Sequence, residues 1–285
     1  MEASAVEASA AHPIFAPLRD LLERAGPVGL PDLERLNALA EASDVRTESG
    51  RPVRFVAPDA AAGRYGGYEL RVFETGCIET RPGSRHDYFN ALAWLAFPRT
   101  KARINALHVA AIPGEKGRRG RLRDLLTILD EGGAVVCCSD AELVALAREH
   151  RWRELFWERR ARVRAHLAVH VLGHAVLEQA HRPWPGITCK VLFAPAGCDP
   201  DRAAHAWLGA LPAEASPALL RAFPVFGLPG WHPGSSERAF YEDARYFRPL
   251  RADGTMPSGV GRAAAARRKS RRAEESPGSA EQNAG

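Results

Sequence analysis

The sequence predicts an α+β fold: a helix-dominated single domain with small β elements and a disordered C-terminal tail. Three observations carry this. Hydrophobic residues make up 46% of a 285-residue chain, enough for a sizeable core. Stretches with helical periodicity, bounded by Pro, Gly and capping Ser or Asp, outweigh the short alternating runs that read as strands. From about residue 252 onward Gly, Ser, Arg and Ala dominate, a composition that buries too little to order itself. The expected organisation is a flexible N-terminus over 1–12, one globular domain over 13–251 and a disordered basic tail over 252–285.

Pro17 to Ala25 and Pro31 to Ala42 read as short amphipathic helices, the second with Leu33, Leu36, Leu39 and Ala40 on one face. Arg51 to Ala57 reads as a strand, and the alternation of Tyr68 to Ile78 predicts a second, paired as a hairpin or small sheet. Pro82-Gly83-Ser84 is a turn before a buried helix from about Asp87 to Phe97, and Pro98 opens the next, Arg99 to Ala110. Leu122 to Leu129 is helical, with Gly132-Gly133 expected to end it as C′ glycines. Ala134 to Cys138 is a short apolar strand, and Ser139-Asp140 caps a helix to about His150. Ile187 to Phe193 is a strand, and Asp199 caps a helix to Leu211. The aromatics from Phe223 to Phe247 are expected to wrap back onto the core.

Val163 to Glu178 reads as one helix, apolar all round and therefore buried. His166, His170, His174 and Glu178 recur at steps of four and form a slowly drifting stripe along it. Gly173 inside it costs about 1 kcal/mol relative to Ala, and is expected to admit a neighbouring backbone beside His174. The helix from Asp87 to Phe97 is the candidate neighbour.

Charge and cysteine usage exclude several classes. The formal charge is +5, and the tail contributes six basic against four acidic residues. The body is therefore close to balanced, which is no nucleic-acid signature. Only Lys101, Lys116, Lys190 and Lys269 are lysines among 39 basic residues, so the Arg richness reads as genome bias. Five scattered cysteines without Cys-x-x-Cys argue against a disulfide scaffold or zinc ribbon and fit a reducing cytoplasm. The first thirteen residues have neither basic region nor apolar core, so no signal peptide is expected there. The apolar runs fall far short of the roughly 20 residues of a membrane span. No P-loop, Rossmann glycine pattern or Gly-x-Ser-x-Gly occurs.

Four stretches occur in a telling order: H-D-Y-F-N-A-L-A-W-L-A-F-P-R-T-K at 86–101, R-D-L-L-T-I-L-D-E-G-G at 123–133, G-H-A-V-L-E at 173–178, and G-L-P-G-W at 227–231 with F-Y-E-D at 240–243. Together they resemble the bacterial family called domain of unknown function 3025, over roughly residues 15 to 250. The family pattern has Trp before the His-Asp pair, where this chain has Arg85. The resemblance implies a soluble bacterial protein and supplies no activity.

Chemistry must therefore come from the residues. His170-Val-Leu-Gly-His174 lacks the internal Glu of a zinc protease, and Glu178-Gln-Ala-His181 lacks the second copy a di-iron bundle needs. A mononuclear site is the easier geometry. His86, His170, His174 and Glu178 are the candidate ligands for one divalent transition metal, such as zinc, iron or manganese. Asp87 and Asn90 in the first turn of the second buried helix, with Asp124 and Glu131, are the candidate catalytic residues. The expectation is a metal-dependent hydrolase acting on a small molecule, with the site between two buried helices. The alternative is a non-catalytic binding or scaffold protein whose buried polar network only specifies the core. A third reading, weak nucleic-acid binding, rests on R-R-K-S-R-R at 267–272 alone.

Overall fold

The computed structural model describes residues 11–25, 33–59, 65–115, 119–181, 184 and 186–250. The tail over 252–285 and nearly all of 1–12 lie outside these. A 3-10 turn, Pro13–Leu18, leads into α1 (Arg19–Ala25), followed by α2 (Leu33–Ala42). β1 (Arg54–Val56) and β2 (Cys77–Glu79) form a two-stranded parallel sheet with α3 (Tyr68–Thr75) between them. The second strand expected from Tyr68 is thus mostly helix. Gly76, left-handed at φ +75°, caps α3, and only the residues beyond it extend. A Cβ there would lie 2.1 Å from the Pro52 carbonyl oxygen, so the glycine also lets the chain pass tight against β1.

Among the described residues, seven helices and a second sheet build the rest of the frame. α4 (Arg85–Ala96) is capped by Ser84, whose hydroxyl accepts the Asp87 amide at 3.2 Å. α5 (Pro98–Ala111) follows directly, then α6 (Arg121–Gly132) runs into β3 (Gly133–Cys138). Next come α7 (Ala141–Arg148), a π-helical turn, α8 (Arg160–His166), β4 (Leu167–Val171) and α9 (His174–Ala180). β5 (Cys189–Pro195), α10 (Pro200–Gly209) and β6 (Arg221–Phe223) complete the order. The second sheet runs β4-β3-β5-β6, with β3 parallel to β5 and the outer pairs antiparallel.

β3 divides the core. All six of its residues are buried, and successive side chains alternate faces. Ala134, Val136 and Cys138 belong to the larger apolar cluster, with Trp94, Phe156 and Phe226; Val135 and Cys137 belong to the smaller, with Leu125, Leu129 and Leu208. Phe223, Phe226, Tyr241, Tyr246 and Phe247 are all buried on the larger core.

The single helix expected over Val163 to Glu178 does not form. It is α8, β4 and α9 in succession. Leu-Ala-Val-His-Val is rich in β-branched residues and finds an open ladder on β3, where Val135 faces His170. The four-residue recurrence of His is therefore spread over separate elements.

Gly132-Gly133 is also not a left-handed cap. Gly132 ends α6 and Gly133 is extended, at φ −82° and ψ 155°. A Cβ on Gly133 would meet the Leu129 carbonyl oxygen at 2.3 Å. Gly173 does admit a backbone beside His174, but that backbone is the α6–β3 junction rather than α4. A Cβ on Gly173 would lie 2.5 Å from the Gly133 nitrogen and 2.7 Å from the Glu131 oxygen.

Candidate active site

The site lies where α3, α4, α5, α6 and α9 meet, around a cleft of about 640 Å³. The tight junction at Gly173 starts α9 directly against the end of α6. His174, the first residue of α9 and only 4% exposed, thereby bonds from Nδ1 to the Asp130 carbonyl at 2.8 Å. α4 packs alongside α9 and brings His86 to face it. The two Nε2 atoms are 3.2 Å apart and the rings meet edge to face. His86 Nδ1 turns the other way, 3.0 Å from Glu178 Oε2, one turn further along α9. A chain results: Glu178, His86, His174, the Asp130 carbonyl.

The proton affinities of the two imidazoles are pushed in opposite directions. The hydrogen bond that His86 gives to Glu178 raises the proton affinity of His86 above its ordinary value, against the effect of burial. Burial, aided by Lys101 and His86 itself, lowers His174 to about 4. A buried cation supports the floor of the site. Lys101, 4% exposed, donates to Asn90 Oδ1 at 2.8 Å and to the Asp130 carboxylate. Burial opposes the Asp130 charge, but Lys101 and His174 outweigh it and hold the carboxyl below its usual range. Asn90 in turn donates to the Tyr68 hydroxyl at 3.4 Å.

A second polar group lines the cleft from α3 and α5. Asn105 donates to Glu69 Oε2 at 2.7 Å, and Arg123 Nε donates to His108 Nδ1 at 3.1 Å. Burial pushes Glu69 up to about 6, while burial and then Arg123 pull His108 down to about 4.

The sequence-predicted residues divide cleanly. His86, His174 and Glu178 come together. Asp87, Asn90 and Glu131 line the same cleft. Both Asp87 oxygens are taken by Arg81, through Nε at 2.8 Å and the other guanidinium arm at 3.0 Å, and these bonds keep its carboxyl low despite burial. Asp124 is exposed, 3.3 Å from Arg119, and is not among the lining residues. His170 sits in β4 and does not join the cluster. Glu178 faces His86 Nδ1 rather than the space between the two Nε2 atoms. Among the described residues, no group of three or more His, Cys, Asp or Glu is arranged to hold a metal ion.

Lys101, Tyr68, Glu69 and His108 are site residues that sequence reasoning did not single out. Lys101 did carry a signal: it is a rare lysine in an arginine-rich chain, one turn into α5. Tyr68 and Glu69 were hidden by the strand reading of α3.

Among the described residues no helix is long and apolar enough to cross a membrane. No curated protein and no solved structure matches the chain. A family model, described as protein of unknown function (DUF3025), matches residues 53–251 and so spans every element that builds the cleft. The chain belongs to that family.

Proposed function

We propose that the cleft is the active site of a hydrolase for a small polar substrate, with His86 as its acid–base group. The chain from Glu178 to the Asp130 carbonyl carries this reading. A carbonyl only accepts, so neutral His174 donates from Nδ1 and its Nε2 is bare. A carboxylate also only accepts, so His86 donates from Nδ1 to Glu178. Two Nε2 atoms 3.2 Å apart then need a proton between them, and His86 as imidazolium supplies it. The raised affinity of His86 and the lowered one of His174 agree with that placement. His86 would give its Nε2 proton to the leaving group and recover one from the water that completes hydrolysis. Asn90 and Glu131, also on the cleft wall, would touch substrate, and Asp87 would fix the start of α4 through Arg81.

One observation favours a second reading, a metal-dependent hydrolase. Two imidazole ligands on one tetrahedral zinc stand about 3.4 Å apart, close to the spacing here. Their outward Nδ1 bonds to a carboxylate and a carbonyl are also those that orient metal-bound histidines. His86 and His174 would be the protein ligands, with Glu178 behind them. The five free cysteines support a cytoplasmic setting for either reading.

The test assays purified protein against chromogenic phosphoester, carboxylic ester and amide panels, alongside metal analysis. Wild type should turn over one class, and His86→Ala should lower kcat about 100-fold or more with the fold intact. In the acid–base reading activity resists chelators and falls as pH rises through the raised His86 value. In the metal reading stoichiometric metal is present, and chelation abolishes turnover. No turnover, no metal and only lost stability in His174→Ala would leave the non-catalytic binding protein.

A further inference from the structure

A second reactive pair lies on the other side of β3. Cys137 Sγ and Cys198 Sγ are 3.5 Å apart, both as free thiols. Cys137 is 3% exposed and faces the smaller core; Cys198 is partly exposed, in the turn between β5 and α10. Strand alternation points Cys138 to the opposite face, where its sulfur bonds the Asp140 backbone at 3.3 Å and 3.4 Å. Cys198 therefore has one thiol within reach.

We propose that Cys137 and Cys198 form a reversible disulfide under hydroperoxide stress, an oxidation site that staples β3 to the start of α10. The sulfurs must close by about 1.5 Å to bonding distance, a shift the turn before α10 can supply. Burial holds the Cys137 thiol up at about 12, so accessible Cys198 attacks first. Its thiolate bonds one peroxide oxygen as the O–O bond breaks; the sulfur is oxidised, the peroxide is reduced, and hydroxide or alkoxide leaves. Cys137 sulfur then attacks the Cys198 sulfenic sulfur. The S–S bond forms, the S–O bond breaks, and the hydroxyl leaves with the Cys137 proton as water.

The staple bears on the cleft through α10. Asp201 in its first turn accepts the amides of Arg99 and Thr100, where α5 begins and Lys101 follows. The test treats the full reduced chain with hydrogen peroxide, then counts thiols and maps peptides without reduction. The count should fall from five to three, with one Cys137–Cys198 peptide that dithiothreitol reverses. Cys138→Ser should still form that link, and Cys137→Ser should instead leave Cys198 as a dimedone-trapped sulfenic acid. Five surviving thiols, or Cys198 linked to any cysteine but Cys137, would overturn the proposal. Either result leaves the cleft reading standing.

Discussion

At the scale of single residues, the site turns on charges that no neighbour can replace. Lys101 is buried, and its ammonium joins Asp130 to Asn90. Lys101→Met removes the cation and strands a carboxylate beside neutral His174. Breaking such a pair costs about 2–4 kcal/mol, discounted because Asp130 keeps 22% of its side-chain exposure. Chemical denaturation should show that loss, and Lys101→Met with Asp130→Asn should recover part of it. A double mutant no better than the single would mean that Lys101 contributes through packing on Trp94, 5.7 Å from its nitrogen. At this scale the sequence was informative about polar side chains in apolar helices. His86, His174 and Glu178 stood out because imidazoles and carboxylates are costly to bury alone. It was silent on pairing. Asp87 looked like a base, and in the fold Arg81 occupies both of its oxygens.

At the scale of elements, two backbones in contact set the position of His174. Gly173 is at φ −67°, a conformation open to any residue, so its role is purely steric. Gly173→Ala would force a methyl against the Gly133 nitrogen and Glu131 oxygen, both backbone atoms that cannot rotate aside. The expected cost is at least 2 kcal/mol by thermal denaturation, with loss of the His174–Asp130 carbonyl bond, seen as a shifted His174 ring resonance. Unchanged stability would show that the junction is looser than drawn. Two capping signals at this scale were legible, since Asp140 and Asp199 accept the amides their positions predict, whereas Ser84, read only as part of a turn, proves to cap α4. Periodicity was less faithful. The steps of four among His166, His170 and His174 satisfied a helix, yet β-branched neighbours and an open ladder on β3 decided for strand at Leu167–Val171. Tyr68–Thr75 erred in the other direction: a short alternating run carried helix once Gly76 could end it.

At the scale of the whole molecule, buried histidines should govern the acid limit of stability. His174 and His108 are each held neutral down to about 4, against an ordinary 6.5. Below pH 6.5 the unfolded chain binds protons that the fold refuses, so stability falls as pH drops from 6.5 toward 4. At about 1.4 kcal/mol per unit, each contributes on the order of 3 kcal/mol of loss. Glu69 works the other way. Its folded value near 6 lies above the ordinary 4.5, so acid relieves about 2 kcal/mol of its burial cost. The two histidines outweigh the one carboxyl, and the melting temperature should drop steeply across that window. Replacing His108 by Gln should flatten the slope; an unaltered slope would remove His108 from the account.

The Asp201 clamp has a consequence for how the chain is made. α5 has no side-chain cap of its own, since Phe97 occupies that position. Its first amides are instead closed by a carboxylate about a hundred positions downstream. A nascent chain leaving the ribosome can fold α4 early, but the first turn of α5 frays until α10 has emerged and docked. The cleft is thus among the last parts of the protein to mature, and a chain cut short before Asp201 would carry every cleft residue yet lack the anchor that sets their order.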